Sequence, residues 1–234
     1  MNSVKSIAMA VMGALMAALL GGCAGSYQAR SMDIKGATMV NPDLLEKGKD
    51  DQMLYRYVNP KADFKQYTKV IVDPVLILKD GELDKDELEN YQKLSNNAFV
   101  YMTKELEKSY QVVQAPEHGT MRITMAITDA DSSKPVRNTL STFVPIGMGL
   151  NLIKYTATGK QTGVGEISAE MKITDAMNGE LLAAALDRRV GGKDVAKLWS
   201  SWYNADEGLK FWSMRLSYVL CEQRGGTDCV KPEN

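Results

Sequence analysis

From Lys69 to Leu78 the chain reads KVIVDPVLIL, an almost unbroken apolar and β-branched run that predicts a buried strand. Pro74 has no amide proton to give to a ladder, so an edge or a bulge is expected there. Further on, Leu88, Tyr91, Leu94, Ala98, Met102 and Leu106 recur at spacings of three and four, one face of an amphipathic helix. Asp84 opens that helix, with Glu87 three residues later as its capping-box partner. Residues 110–115 read as a short strand. Met121, Ile123, Met125 and Ile127 then alternate with Arg122, Thr124 and Thr128, the period of a half-buried strand. Ile167, Ala169, Met171 and Ile173 repeat the pattern against Ser168, Glu170, Lys172 and Thr174. Asn178-Gly179 supplies a turn, and residues 180–189 pair back as a hairpin. A closing helix over 195–221 carries Trp199, Trp202, Leu209, Trp212, Leu216 and Val219 as its apolar stripe. Cover for a sheet explains that stripe more simply than an aromatic ligand site does. The order β-α-β-β-(insert)-β-β-α predicts an α+β fold: a two-layer sandwich of a mixed, mostly antiparallel sheet with two long helices on one face.

The N-terminus follows a different pattern. Lys5 precedes a charge-free run from Ile7 to Leu20, and Gly21-Gly22-Cys23 follows. A basic start, a short apolar stretch and small residues at a cut make a secretory signal. Its 14 apolar residues are fewer than the ~20 that span a bilayer. Leu20-Gly21-Gly22-Cys23 has the form of a lipobox, which makes Cys23 the expected site of acylation and residues 1–22 the expected signal peptide. Each buried acyl methylene contributes about 0.8 kcal/mol, so several chains on one cysteine hold a protein stably at a membrane. Ala24, by similarity to the sorting rule of Gram-negative lipoproteins, favours the outer membrane with the domain facing the periplasm. Residues 23–50, polar and small with a Lys47–Asp51 charge cluster, read as a lipidated tether. A single globular domain is expected over 51–224, with order beginning near Met53, and a C-terminal tail over 225–234.

Charge narrows the partners. Residues 1–22 contain one lysine and no acid, so the chain from Cys23 onward carries 27 basic and 29 acidic side chains, a net −2. Nucleic acid and anionic membrane both call for a basic excess, and neither is expected as a partner. With Cys23 assigned to lipid, Cys221 and Cys229 remain as an even pair in an oxidising compartment and are expected to join. Gly225-Gly226 lets the chain fold back between them. Two thiols this close with no histidine nearby make a poor metal site.

Candidate chemistry is thin. His118, the one histidine, lies in a Glu-His-Gly loop and reads as a solvated turn residue. No Gly-x-Ser-x-Gly elbow occurs. Asp129-Ala130-Asp131 resembles the start of a calcium loop, but Lys134 replaces its turn glycine and Leu140 its closing glutamate. Gly163-Val164-Gly165 lacks the strand and helix of a dinucleotide site. Asp187-Arg188-Arg189 reads as the solvated end of a strand, with anion binding as the sharper alternative. No catalytic role and no cofactor or metal are expected. One stretch is unusual: residues 140–153 (LSTFVPIGMGLNLI) carry no charge, yet Pro145, Gly147 and Gly149 disfavour regular structure. It either packs under the domain or presents Phe143, Ile146, Met148 and Leu150 to a partner or membrane.

Several short patterns occur in one order. Tyr57-Val58-Asn59-Pro60, Ala62-Asp63-Phe64, Tyr67 and Val72-Asp73-Pro74 form a block, and residues 116–120 (PEHGT) lead into a strand ending Thr128-Asp129. Glu166, Asp175 and Gly179-Glu180-Leu181 precede Asp187-Arg188-Arg189 and the Trp-rich helix. This order resembles the domain-of-unknown-function family 3313 of bacterial lipoproteins over roughly residues 50–216 of this chain. The resemblance implies no catalytic residues, because that pattern carries none. The expected function is therefore a non-catalytic, membrane-anchored lipoprotein acting as an accessory or interaction module of a cell-envelope assembly, through an envelope protein or through self-association. The alternative is a periplasmic binding protein for a small apolar or lipidic ligand, held between the sheet and the Trp199–Trp212 helix.

Overall fold

A computed structural model describes residues 26–29, 31–32, 34–35, 37, 39–49, 52–78, 83–128, 139–140, 166–191 and 201–233. The strands are β1 (Ser26–Gln28), β2 (Glu46–Lys47), β3 (Tyr55–Val58), β4 (Lys69–Val72), β5 (Leu76–Leu78), β6 (Gln111–Val112), β7 (Thr120–Thr128), β8 (Thr139–Leu140), β9 (Glu166–Asp175) and β10 (Leu181–Gly191). Two helices accompany them, α1 (Lys85–Leu106) and α2 (Ser201–Gln223). All described strands join one mixed sheet, ordered β2-β3-β10-β9-β7-β4-β6, with β1 on β10 and β5 between β7 and β8. The pairs β4–β6, β4–β7 and β5–β7 are parallel, and the others are antiparallel. This is the α+β sandwich that the periodicities predict.

The helix face of the sheet is read directly from the alternation. Met121, Ile123, Met125 and Ile127 of β7 and Ile167, Ala169, Met171 and Ile173 of β9 join Leu94, Ala98, Met102, Leu106, Leu209, Trp212 and Leu216 in one core. Each fully buried side chain of this size contributes about 1.5–3 kcal/mol relative to exposure. Asp84 and Glu87 form both halves of the capping box at the start of α1. The helices run parallel: Tyr91 packs edge-on against Trp202 at 5.1 Å, while near the other end the Ser217 hydroxyl donates to the Glu105 carbonyl.

Three expectations need correction. The strand over 69–78 is two strands, because Asp73-Pro74-Val75 leaves the ladder after the Asp73 amide donates to the Ile123 carbonyl at 2.9 Å. β4 then pairs with the first half of β7 and β5 with its last three residues. The missing proline amide is the physical reason. The tether expected over 23–50 is, in its described residues, packed structure. β1 pairs with the last residues of β10, β2 pairs with β3, and Met32 is buried with Leu54 and Leu186 in a second, smaller core. Leu186 stands opposite Glu170 in the ladder, on the face away from the helices, so this segment covers part of the outer face. There the Met39 amide donates to the Glu170 carboxylate at 2.9 Å. The third correction is Asp187-Arg188-Arg189. Asp187 and Arg189 are each 2% exposed, and of the three only Arg188 points to the outer face, where it pairs with Glu166.

The hairpin turn falls where Asn178-Gly179 places it, with Gly179 at φ 77°. Asp175 organises it: one carboxylate oxygen accepts from the amides of Met177 and Asn178. Cys23, the Asp129–Lys134 loop, Phe143, Ile146, Met148, Leu150, Gly163–Gly165 and Trp199 lie outside the described residues.

Candidate functional site

The polar residues that stand out in the sequence form three groups, and each group holds the fold together. At the end of the sheet carrying the β9–β10 turn, Tyr67 donates to Asp175 at 2.9 Å. Asn59 reaches the Glu180 carboxylate at 2.9 Å and the Leu181 carbonyl at 3.2 Å. Asp63 caps a 3-10 turn by accepting from the Lys65 amide. Burial works to raise the Asp175 pKa, but the Met177 and Asn178 amides, the Tyr67 hydroxyl and the His118 charge outweigh it and hold the carboxyl below its ordinary value. His118 itself is exposed. The Gly119 carbonyl accepts from the Thr68 and Lys69 amides, and a side chain at Gly119 would meet the Gln66 carbonyl at 2.9 Å.

Between the helices, Asp206 accepts from Asn97 at 2.8 Å and from the Tyr101 hydroxyl at 2.7 Å. Burial first, and then that bond to Asp206, push the Tyr101 pKa up. Beneath α2, Asp187 accepts from the Trp212 indole at 2.7 Å, from Gln28 at 2.7 Å and from the Leu54 amide at 3.2 Å. Burial raises the Asp187 pKa against these bonds. Arg189 lies over the Phe211 ring, 3.7 Å from its centroid. Burial lowers its pKa to about 10, still protonated at neutral pH, with the Asp187 charge opposing the shift. Trp212 and Trp202 are thus taken up in packing and in one hydrogen bond, as the simpler reading of the helix stripe expects.

Among the described residues, an opening lies elsewhere. A cleft of about 180 Å³ runs between β3, β9 and β10 and the C-terminal half of α2. Its sheet side is Val58, Met171, Ile173, Ala183 and Ala185, and its charged lining is Arg56, Glu222 and the buried Arg215. Ala183 and Ala185, on the helix face of β10 opposite Ile173 and Met171, leave room that larger residues would fill. Sequence reasoning missed this site, and the small residues Ala183 and Ala185, two apart on one face of β10, are the signal that marks it. An apolar wall with charges at the mouth suits a small apolar group bearing a polar end. Among the described residues no three of His, Cys, Asp and Glu gather to hold a metal ion, and no helix is long and apolar enough to cross a membrane.

Cys221 and Cys229 form the expected disulfide, with Cα atoms 5.6 Å apart. Gly225 turns the chain at φ 78°, and a side chain at Gly226 would meet the Cys221 sulfur at 2.7 Å.

A family model described as a protein of unknown function, DUF3313, matches residues 36–216. The chain belongs to the DUF3313 family. The match takes in most of the covering segment, all of α1, the whole sheet apart from β1, and α2 as far as Leu216. No curated protein matches this DUF3313 chain. Among solved structures, the PelC dodecamer from Paraburkholderia phytofirmans is similar at 11% identity, over 74% of this chain and 96% of that one, with a TM-score of 0.35. A DUF4136 family protein from Bacteroides thetaiotaomicron is similar at 13% identity, over 71% and 97%, also at 0.35. Similarity at that level assigns no activity.

Proposed function

We propose that this DUF3313 protein is a non-catalytic lipoprotein, anchored through Cys23 at the periplasmic side of the outer membrane, where it serves as an accessory or interaction module of an envelope assembly. The Cys221–Cys229 disulfide carries the reading. Such bonds persist in oxidising compartments outside the cytoplasm, and this one leaves Cys23, directly after Gly21-Gly22, as the odd cysteine of three. The absence of a catalytic role draws support from Asp175, Asp187 and Asp206, whose carboxylates are taken up in turn, sheet and helix contacts. In cells given an alkynyl palmitate, the wild-type protein takes up label and sediments with outer membranes, and Cys23→Ser does neither. Undiminished labelling of that variant would remove the anchor. In-cell crosslinking then seeks the partner: one captured reproducibly and lost on Ile146→Asp with Leu150→Asp establishes an interaction module, and a protein that crosslinks to nothing counts against it.

The cleft supports a second reading, carriage of a small apolar or lipidic ligand. Native mass spectrometry of the purified mature protein reads it directly. A retained mass lost on Ala185→Leu, which stands opposite Met171 on the cleft side of β10, favours this reading, and repeated spectra of the bare protein discard it.

A further inference from the structure

A lipid anchor on a long tether leaves a domain free to tumble, and a short one does not. β1 begins at Ser26 and is hydrogen-bonded along β10, with Ser26 opposite Gly191. Three residue steps separate Cys23 from Ser26, and fully extended they reach about 10 Å. The far end of the sheet lies beyond that reach: β10 runs from Gly191 back to Leu181, about 33 Å at ~3.3 Å per residue.

From this geometry we infer that the end of the sheet carrying Ser26 and Gly191 rests on the phospholipid surface that receives the Cys23 acyl chains. The cleft and the β9–β10 turn then project into the periplasm. The inference rests on the proposed lipidation of Cys23. Register identifies what shares the membrane end. Glu166 opens β9 opposite Val190, Thr128 ends β7 opposite Ser168, and Leu78 ends β5 opposite Thr139 of β8. Both helices start there, because Tyr91 of α1 packs on Trp202 of α2 and Gly208 approaches Ile167 and Arg189. Trp202 is half-buried and Tyr203 is 36% exposed, and aromatic side chains of this kind favour the headgroup region. Among the described residues, the N-terminal turn of α1 places Asp86 and Glu87 beside the Asp84 cap at this end, acidic charge that disfavours anionic lipid. The occupant is a zwitterionic phospholipid surface, held by the anchor rather than by basic residues. At the opposite end lie Gly179, Asn59 and Gly119, and the Cys221–Cys229 disulfide closes α2 on that side, where the Arg224 side chain meets the Ser109 carbonyl.

The test uses the mature lipidated protein in phosphatidylcholine nanodiscs that contain a headgroup-linked gadolinium chelate, with backbone amide signals read by NMR. Amides of Gly191, Glu166 and Lys85 should broaden strongly, and those of Gly179, Gly119 and Gly225 should keep their intensity. Equal broadening at both ends, or the reverse gradient, overturns the orientation. Intact mass of the same sample reports Cys23 acylation independently. An unmodified Cys23 defeats the anchor itself, whereas an acylated Cys23 with the wrong gradient defeats the orientation alone. A 20-residue Gly/Ser insertion after Ala24 has a root-mean-square reach of about 25 Å and should at least halve the excess broadening at Gly191. Full broadening with the long leash would show that tether length does not set the contact, and would also overturn the inference.

Discussion

Asp187→Asn is the sharpest test of how the sheet and α2 are joined. One carboxylate oxygen of Asp187 accepts from the Trp212 indole, and the other accepts from Gln28 and the Leu54 amide. Asparagine has the same shape but a single acceptor oxygen. If that oxygen faces Gln28 and Leu54, the new amide group is set against the indole N–H, and one buried donor is stranded. The opposite orientation strands two. One unsatisfied buried donor costs about 1–3 kcal/mol. Removing the buried charge offsets part of this, since burial already disfavours the carboxylate. The expected loss is therefore about 1–3 kcal/mol, or ~2–12 °C in Tm for a domain of this size. Urea unfolding followed by circular dichroism measures it. Trp212→Phe closes the cycle: with no indole N–H to strand, Asp187→Asn should cost at least about 1 kcal/mol less when introduced together with Trp212→Phe. A cycle additive to within about 0.5 kcal/mol would refute the claim that this hydrogen bond ties α2 to β10. Acid sharpens the comparison. A carboxyl whose folded pKa is raised contributes stability that is fully present below its unfolded value and lost as pH rises through the folded one. The penalty of Asp187→Asn should therefore grow as pH is lowered from neutral.

Asp175 has the opposite sign. Its folded pKa is depressed, so its contribution is present above the unfolded carboxylate range and lost as pH falls through the folded value. Asp175→Asn should flatten the decline of the urea midpoint between about pH 5 and pH 2, and an unchanged slope would count against the contacts of Asp175 with the Met177 and Asn178 amides and Tyr67. Reducing the Cys221–Cys229 disulfide opens a short loop, for which chain entropy assigns about 2–3 kcal/mol. Differential scanning calorimetry with and without a phosphine reductant should show a lower Tm, and equal values would make the bond local to the tail. Asp84→Ala removes the capping box of α1 and should cost about 1 kcal/mol. Hydrogen exchange should quicken first in the initial turn of that helix, and protection lost evenly along α1 would contradict the cap.

What the sequence disclosed divides by the range of the interactions involved. α1 was legible because its capping box spans three residues and its apolar stripe repeats within one helix. β7 and β9 were legible because alternation is local and one face of each meets the core. The packing of residues 26–49 was not. Their polar composition resembles a linker, and their order comes from partners such as Asp187, 159 residues from Gln28. The Asp187-Arg188-Arg189 segment misled for the same reason. Charges at the end of a hairpin strand suggest solvent, but the strand continues under α2, and β1 closes its edge. The cleft escaped notice because it arises from what Ala183 and Ala185 omit, seen only once β3, β9 and α2 surround them.

The residues that carry the family resemblance explain why membership in DUF3313 says so little about activity. Asn59 pins β3 to the hairpin. Asp63 caps a turn, and Tyr67 holds Asp175. Asp73 accepts from Thr124 where β4 leaves the ladder, Gly179 supplies the positive φ of the hairpin turn, and Asp187 fastens α2. Each solves a problem of chain geometry or of buried polarity, and substitution at any of them should be read first in stability. Two places lie apart from these contacts: the cleft floored by Ala183 and Ala185 with Arg56 beside it, and the Ser26–Gly191 end of the sheet near Tyr203. A partner or ligand is therefore to be sought with substitutions at those places, where loss of binding can be separated from loss of fold.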